Sequence, residues 1–154
     1  MLLQVQTASA PPVAVELLAK EQVALLWPEM YVILEEKAED FLTVYSEEEI
    51  FKLACSGIID VWIGRRGGQI DGFVLAAWEV HARAKYYHIL GGFGDNLKFY
   101  LSKGLEQMEK YAYVLGAVEL IIEGRSGWLR LLKPRGYRAR TIKLRKNLRK
   151  ALGN

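Results

Sequence analysis

Residues 116–148 read GAVELIIEGRSGWLRLLKPRGYRARTIKLRKNL. Within this stretch, Ala117 to Ile122 is an apolar, β-branched run bounded by Gly116 and by Gly124-Arg125-Ser126-Gly127, which is the pattern of a short buried strand. Trp128 to Lys133 favours a short helix, which Pro134 and Gly136 close. Tyr137 to Leu144 then interleaves basic and apolar residues, as a strand with one charged face does. Immediately upstream, Leu97 to about Leu115 carries Phe99, Tyr100, Leu105, Met108, Tyr111 and Ala112 on one stripe. That spacing predicts a long helix, with Asp95 or Asn96 as its cap. Before it, Tyr86 to Leu90 reads as a strand running into Gly91-Gly92-Phe93-Gly94. Strand, long helix and strand make a crossover whose two strands should lie parallel.

Further out, Ile58 to Gly64 and Ile70 to His81 are β-forming runs separated by a Gly67-Gly68 turn, which predicts an antiparallel hairpin. Ser46 and Glu49 stand at capping-box spacing and open a helix to about Ser56, where Gly57 provides a left-handed stop. Val15, Leu17, Leu18, Val23, Leu25 and Leu26 recur at helical spacing within Val13 to Trp27, and Pro28 is expected to end that first helix. Glu35, Glu36, Glu39 and Asp40 form a solvated acidic stretch.

A chain of 154 residues with 51% hydrophobic and 25% charged residues suits one soluble domain. Residues 1–154 read as a single domain with a polar lead-in at 1–12 and a basic tail at 145–154. One cysteine, Cys55, excludes an internal disulfide and a multi-cysteine metal site, and it reads as a small core residue. No apolar run reaches the roughly 20 residues of a membrane span, and the N-terminus lacks a signal-peptide pattern. His81 and His88 have no third ligand at metal spacing, so no metal is expected; each reads as a polar strand residue. Charge is unevenly placed. Residues 1–124 hold 10 Lys/Arg against 18 Asp/Glu, a net −8, and residues 125–154 hold 11 Lys/Arg and no acid. Arg138, Arg140, Lys143 and Arg145 form the charged face of the last run, an interface for an acidic partner, an identical neighbour or nucleic-acid phosphates.

The order of helix, helix, hairpin, strand, long helix, parallel strand, short helix and last strand resembles the GNAT acyltransferase fold over residues 13–148. The Gly136-Tyr137 pair after the short helix strengthens the resemblance. More narrowly, a strand ending in Gly91-Gly92 combined with IIEGRSGWLRLLKPRGY is similar to GNAT-like proteins of tailed bacteriophages, some of which belong to virion-assembly gene sets. The resemblance implies an α/β, α+β mixed sheet built from a β-hairpin, a βαβ crossover and a final antiparallel strand.

In that family the loop between the fourth strand and the long helix holds the acyl-CoA pyrophosphate. Here the loop position is Leu90, Gly91, Gly92, Phe93 and Gly94. It lacks the family's Arg or Gln, it is short, and Asp95 adds negative charge near a helix N-terminus. The tyrosine that many members use to reprotonate the leaving thiolate would fall five residues before Tyr137, where Leu132 stands. Glu123 is the candidate general base, and Glu79 a second. A carboxylate shifted upward by partial burial could take a proton from an amine. An ion pair between Glu123 and Arg125 is the alternative use of that carboxylate.

These departures lead to the expectation of a non-catalytic GNAT-like phage protein of virion or host cytoplasm. It would act in virion structure or assembly through other virion proteins or its own copies, with no cofactor, with nucleic acid possible at the basic end and without a membrane partner. The alternative is a divergent N-acetyltransferase using acetyl-CoA.

Overall fold

The computed structural model describes residues 13–37, 45–123, 127–140 and 144–153. It divides into two compact units, Met1–Glu123 and Gly124–Asn154.

The first unit is a five-stranded mixed sheet in the order β1-β2-β3-β4-β5, formed by Val13–Leu17, Ile59–Arg66, Gln69–Val80, Lys85–Phe93 and Glu119–Ile122. The first four strands pair antiparallel, and β4 pairs β5 in parallel. Helices α1 (Lys20–Lys37) and α2 (Glu47–Cys55) supply Val23, Met30, Leu34, Ile50 and Ala54 to a buried cluster with Val61, Ile63, Phe73, Leu75 and Phe93. Helix α3 (Leu97–Val114) covers the opposite face. There, Tyr100 lies where a side chain on Gly64 would stand, so only glycine permits the approach.

The expected hairpin, capping box, long helix and parallel crossover are all present. Ser46 Oγ accepts from the Glu49 backbone N–H at 3.1 Å, and Glu49 Oε1 accepts from the Ser46 N–H at 3.4 Å.

The first expected helix is corrected. Val13–Leu17 is a strand, and α1 begins only at Lys20. Val13, Val15 and Leu17 alternate with period two, a pattern that abuts the true helix and blurs into it. The turn between them is secured when Ala19 N–H donates to Gln22 Oε1 at 3.2 Å.

Pro28 does not end α1, which continues to Lys37. An interior proline costs about 3 kcal/mol in a lost hydrogen bond and crowding. Val23, Met30 and Leu34, all fully buried on one stripe, each return roughly 1.5–3 kcal/mol. Packing outweighs the local penalty.

Two further expectations shift. The strand expected over Tyr86 to Leu90 extends from Lys85 to Phe93, so Gly91, Gly92 and Phe93 are strand residues rather than loop. Asn96 stands at the N-cap of α3 but makes no capping hydrogen bond with its side chain. Its Nδ2 donates instead to Asp71 Oδ2 at 3.0 Å, which also accepts from Tyr100 Oη at 2.7 Å. These two bonds hold the Asp71 carboxyl below the usual carboxylate range and tie the start of α3 to the β2–β3 hairpin.

The second unit contains α4 (Gly127–Leu132), a single 3-10 turn at Lys133–Arg135 and α5 (Leu148–Leu152). The expected last strand over Tyr137 to Leu144 is not formed at residues 137–140 or 144, and residues 141–143, with Lys143, lie outside the described residues. Alternation alone describes a face; a strand also needs a hydrogen-bonded neighbour. Glu39, Asp40, Arg125 and the lead-in at 1–12 likewise lie outside the described residues.

Candidate active site

Strand β4 sets the geometry. Its pairing with β5 runs from Tyr86↔Glu119 to Ile89↔Ile122 and stops there, yet β4 continues to Phe93. At the same point its pairing with β3 shifts register: Ala76 opposes Ile89 and Leu75 opposes Gly91, which leaves Leu90 as an extra residue. Such a bulge bends the strand that carries it. Gly91, Gly92 and Phe93 run on with no described partner strand on the β5 side, and the β4–β5 pairing parts beyond Ile89.

Three titratable side chains meet beside this parting, on the sheet face that α1 and α2 cover. His88 Nδ1 lies 2.7 Å from Glu79 Oε1, and His88 Nε2 lies 3.1 Å from Glu123 Oε1. The strands dictate this meeting. Glu79 pairs with Tyr86, so His88 is its diagonal neighbour; His88 is in register with Ile121, two residues before Glu123. The His88 side chain is 13% exposed, Glu79 41% and Glu123 47%. The short Glu79 contact assigns the Nδ1–H tautomer as donor to Glu79, on hydrogen-bond geometry.

The other nitrogen is different. Its approach to Glu123 is close enough for an ion pair but lacks hydrogen-bond alignment, and the buried Nε2 has no hydrogen-bond partner among the described residues. A buried ring nitrogen left in this state is rare and calls for an explanation. His81 completes the outer edge, with Nε2 3.6 Å from Glu79 Oε2.

Glu79 was expected to be shifted upward as a base. The shift runs the other way: the hydrogen bond from His88 holds its carboxyl below the usual range. Glu79 is thus an orienting anion for His88, and Glu123 stands on the opposite side of the ring. Sequence reasoning named both carboxylates but read His88 as a polar strand residue. The signal lay in the hairpin, whose 81–84 connection fixes the diagonal, but it becomes visible only once the register is known.

The glycine segment is tightly packed. A side chain on Gly92 would meet Leu97, and one on Gly94 would meet the Asp71 carbonyl and Gly72. Gly94 also has φ +126, a conformation that side chains rarely adopt. Leu90 packs against the core cluster and Phe93 is buried within it. In the second unit, Leu132 is a buried aliphatic residue at the position where a tyrosine acid was sought. An open cavity of about 440 Å³ there is lined, among the described residues, by Leu129, Lys133, Gly136, Tyr137, Arg138 and Ala139, with no carboxylate or histidine among them.

No family model matches this sequence, and no curated protein matches it. Solved structures do. An acetyltransferase predicted for Clostridium acetobutylicum, solved with acetyl-CoA, superposes at a TM-score of 0.65 with 11% identity over 90% of this chain and 98% of that one. A GNAT family acetyltransferase from Staphylococcus aureus gives 0.63 with 14% identity over 88% and 98%. Glucosamine-6-phosphate N-acetyltransferase from Arabidopsis thaliana gives 0.61 with 15% identity over 88% and 98%. Such identities speak for backbone architecture alone, and with the mixed sheet and crossover helix they give one conclusion: the chain has the GNAT fold.

Proposed function

We propose that this protein is an acyl-CoA-dependent N-acyltransferase. The observation that carries the proposal is His88, whose buried Nε2 lies 3.1 Å from Glu123 without a hydrogen bond while Glu79 holds Nδ1, beside the place where the β4–β5 pairing ends.

The backbone fits an acyl-CoA in two respects. The backbone of Gly91 and Gly92, which has no described strand beside it on the β5 side, can hydrogen-bond an extended, amide-bearing chain. The N-terminus of α3, with no side-chain cap and no acid in its first turn, suits an anion. The missing Arg or Gln and the presence of Asp95 weaken that anion site without filling it. Bound there, acyl-CoA would supply the acyl group as a thioester.

The remaining chemistry belongs to the chain. Glu123, the more exposed member, reaches the parting and meets the incoming amine. Glu123 takes the proton that the amine loses as its nitrogen bonds to the acyl carbon and hands it to His88 Nε2 behind it, while Glu79 fixes the ring and stabilises the imidazolium that forms. Leu132 donates nothing to the departing sulfur, but a thiol of pKa about 8.5 leaves well as a thiolate and can take its proton from water.

The test has two arms. Acetyl-CoA in large excess over a micromolar Kd should raise the melting temperature of the protein. Glu123→Gln and His88→Gln should keep that shift while losing acetyl transfer to a panel of primary amines. An unchanged melting temperature at millimolar acetyl-CoA, or full transfer by both variants, would refute the assignment.

A second reading, a non-catalytic GNAT-like protein of phage virions, keeps one structural support. Gly92 and Gly94 answer to packing, and Leu132 replaces the expected acid. The structural neighbours lend the virion role itself no support.

A further inference from the structure

The second unit contains an uncompensated set of cations. Residues 125–154 include 11 Lys/Arg and no Asp or Glu. Among the described residues, Arg130, Lys133, Arg138, Arg145, Lys146, Arg149 and Lys150 are exposed, and their charged ends make no ion pair or hydrogen bond with another described residue. Seven such cations within 21 residues repel one another, so the unit is electrostatically incomplete on its own.

We infer that this unit is a sequence-independent binding surface for the phosphodiester backbone of nucleic acid. Charge sets the class of ligand, and the chemistry of the segment narrows it. Four of the seven cations are arginines, whose planar fork matches a phosphate in bidentate geometry. They lie along a succession of short elements: α4, the 3-10 turn, residues 137–140, residues 144–147 and α5. No base-reading motif accompanies the cations, so recognition rests on the backbone.

The competing partner is an anionic lipid surface, because Leu144, Leu148 and Leu152 are exposed beside the same cations. However, α5 has only five residues, about 7.5 Å of helix, and places just two of those leucines on one continuous face. That is a small apolar footprint for a surface whose dominant feature is charge.

The experiment is a salt titration of anisotropy with a fluorescent duplex and a fluorescent single strand of unrelated sequence. If seven phosphates are neutralised, log K should fall against log salt with a slope of about −6 on duplex and about −5 on single strand. The triple variant Arg138→Gln/Arg145→Gln/Arg149→Gln should reduce the duplex slope by about 3, equally for every sequence, with its melting temperature unchanged. Absence of binding at about 50 mM salt, or a triple variant with the parent slope, overturns the inference. So does uptake by phosphatidylserine vesicles without binding to either nucleic acid, or salt-sensitive self-association that occupies the same residues. None of these results bears on acetyl-CoA binding by the first unit.

Discussion

Tyr87 and His88 are neighbours on β4, and they face opposite sides of the same sheet. On the α3 side, the Tyr87 hydroxyl accepts from Trp62 Nε1 at 2.8 Å and donates to Asp60 Oδ2 at 2.7 Å, which also accepts from Tyr111 Oη at 3.2 Å. Trp62, Trp78 and Tyr111 pack around it, with ring centroids 4.7–6.4 Å apart. Trp62 Nε1, both phenol hydroxyls and Asp60 Oδ2 all find partners within the fold. On the α1–α2 side, His88 has one nitrogen satisfied and one not. A saturated buried network rigidifies a core, whereas an unsaturated one costs stability and is kept where chemistry uses it. The strand thus separates a saturated network from an unsaturated one by the alternation of its side chains alone.

Four measurements can break or sharpen this contrast. The largest effect should come from His88→Gln, which keeps a donor for Glu79 but removes the basic nitrogen. Transfer should drop by about 10²–10⁴-fold while urea unfolding changes little. Equal loss of stability would make His88 a packing residue. Tyr87→Phe should behave in the opposite way. It strands the buried Trp62 N–H and should cost about 1–3 kcal/mol in unfolding free energy, with turnover per folded molecule preserved.

Third, burial pushes the Tyr87 hydroxyl upward beyond the alkaline range and also raises that of Tyr111. A group with a raised folded value contributes stability below its unfolded value, near pH 10, and that contribution is lost as pH rises further. Ultraviolet titration should therefore show both phenols ionising only with unfolding; early phenolate formation by Tyr87 would show an open network. The smallest effect concerns Glu79. Its lowered value means that stability is present above about pH 4.3 and lost as pH falls, so Glu79→Gln should slightly flatten the acid side of the stability profile. Because the side chain is 41% exposed, water screens most of the gain.

What could be read from sequence follows from how local each signal is. The hairpin at Gly67-Gly68, the Ser46–Glu49 cap and the α3 stripe depend on neighbours a few residues apart, and each formed as expected. Val13–Leu17 escaped because a period-two run merges into a helical one, and the continuation of α1 through Pro28 escaped because burial of Val23, Met30 and Leu34 is a tertiary gain. The site was legible only in parts. Glu79 and Glu123 could be singled out as carboxylates at strand ends. Their convergence on His88 depends on two registers, one set by a hairpin and one by an 18-residue crossover helix. No spacing in the chain encodes that meeting directly.

Leu90 has a consequence of its own. Because Ile89 already opposes Ala76 and Gly91 already opposes Leu75, taking Leu90 out would preserve the partner of every other β4 residue and the face each side chain occupies. The strand would lose only its bend. One aliphatic residue, too many for the ladder by a single step, turns β4 at the place where its pairing with β5 ends, so the line of the strand is set by a residue that the ladder itself does not need.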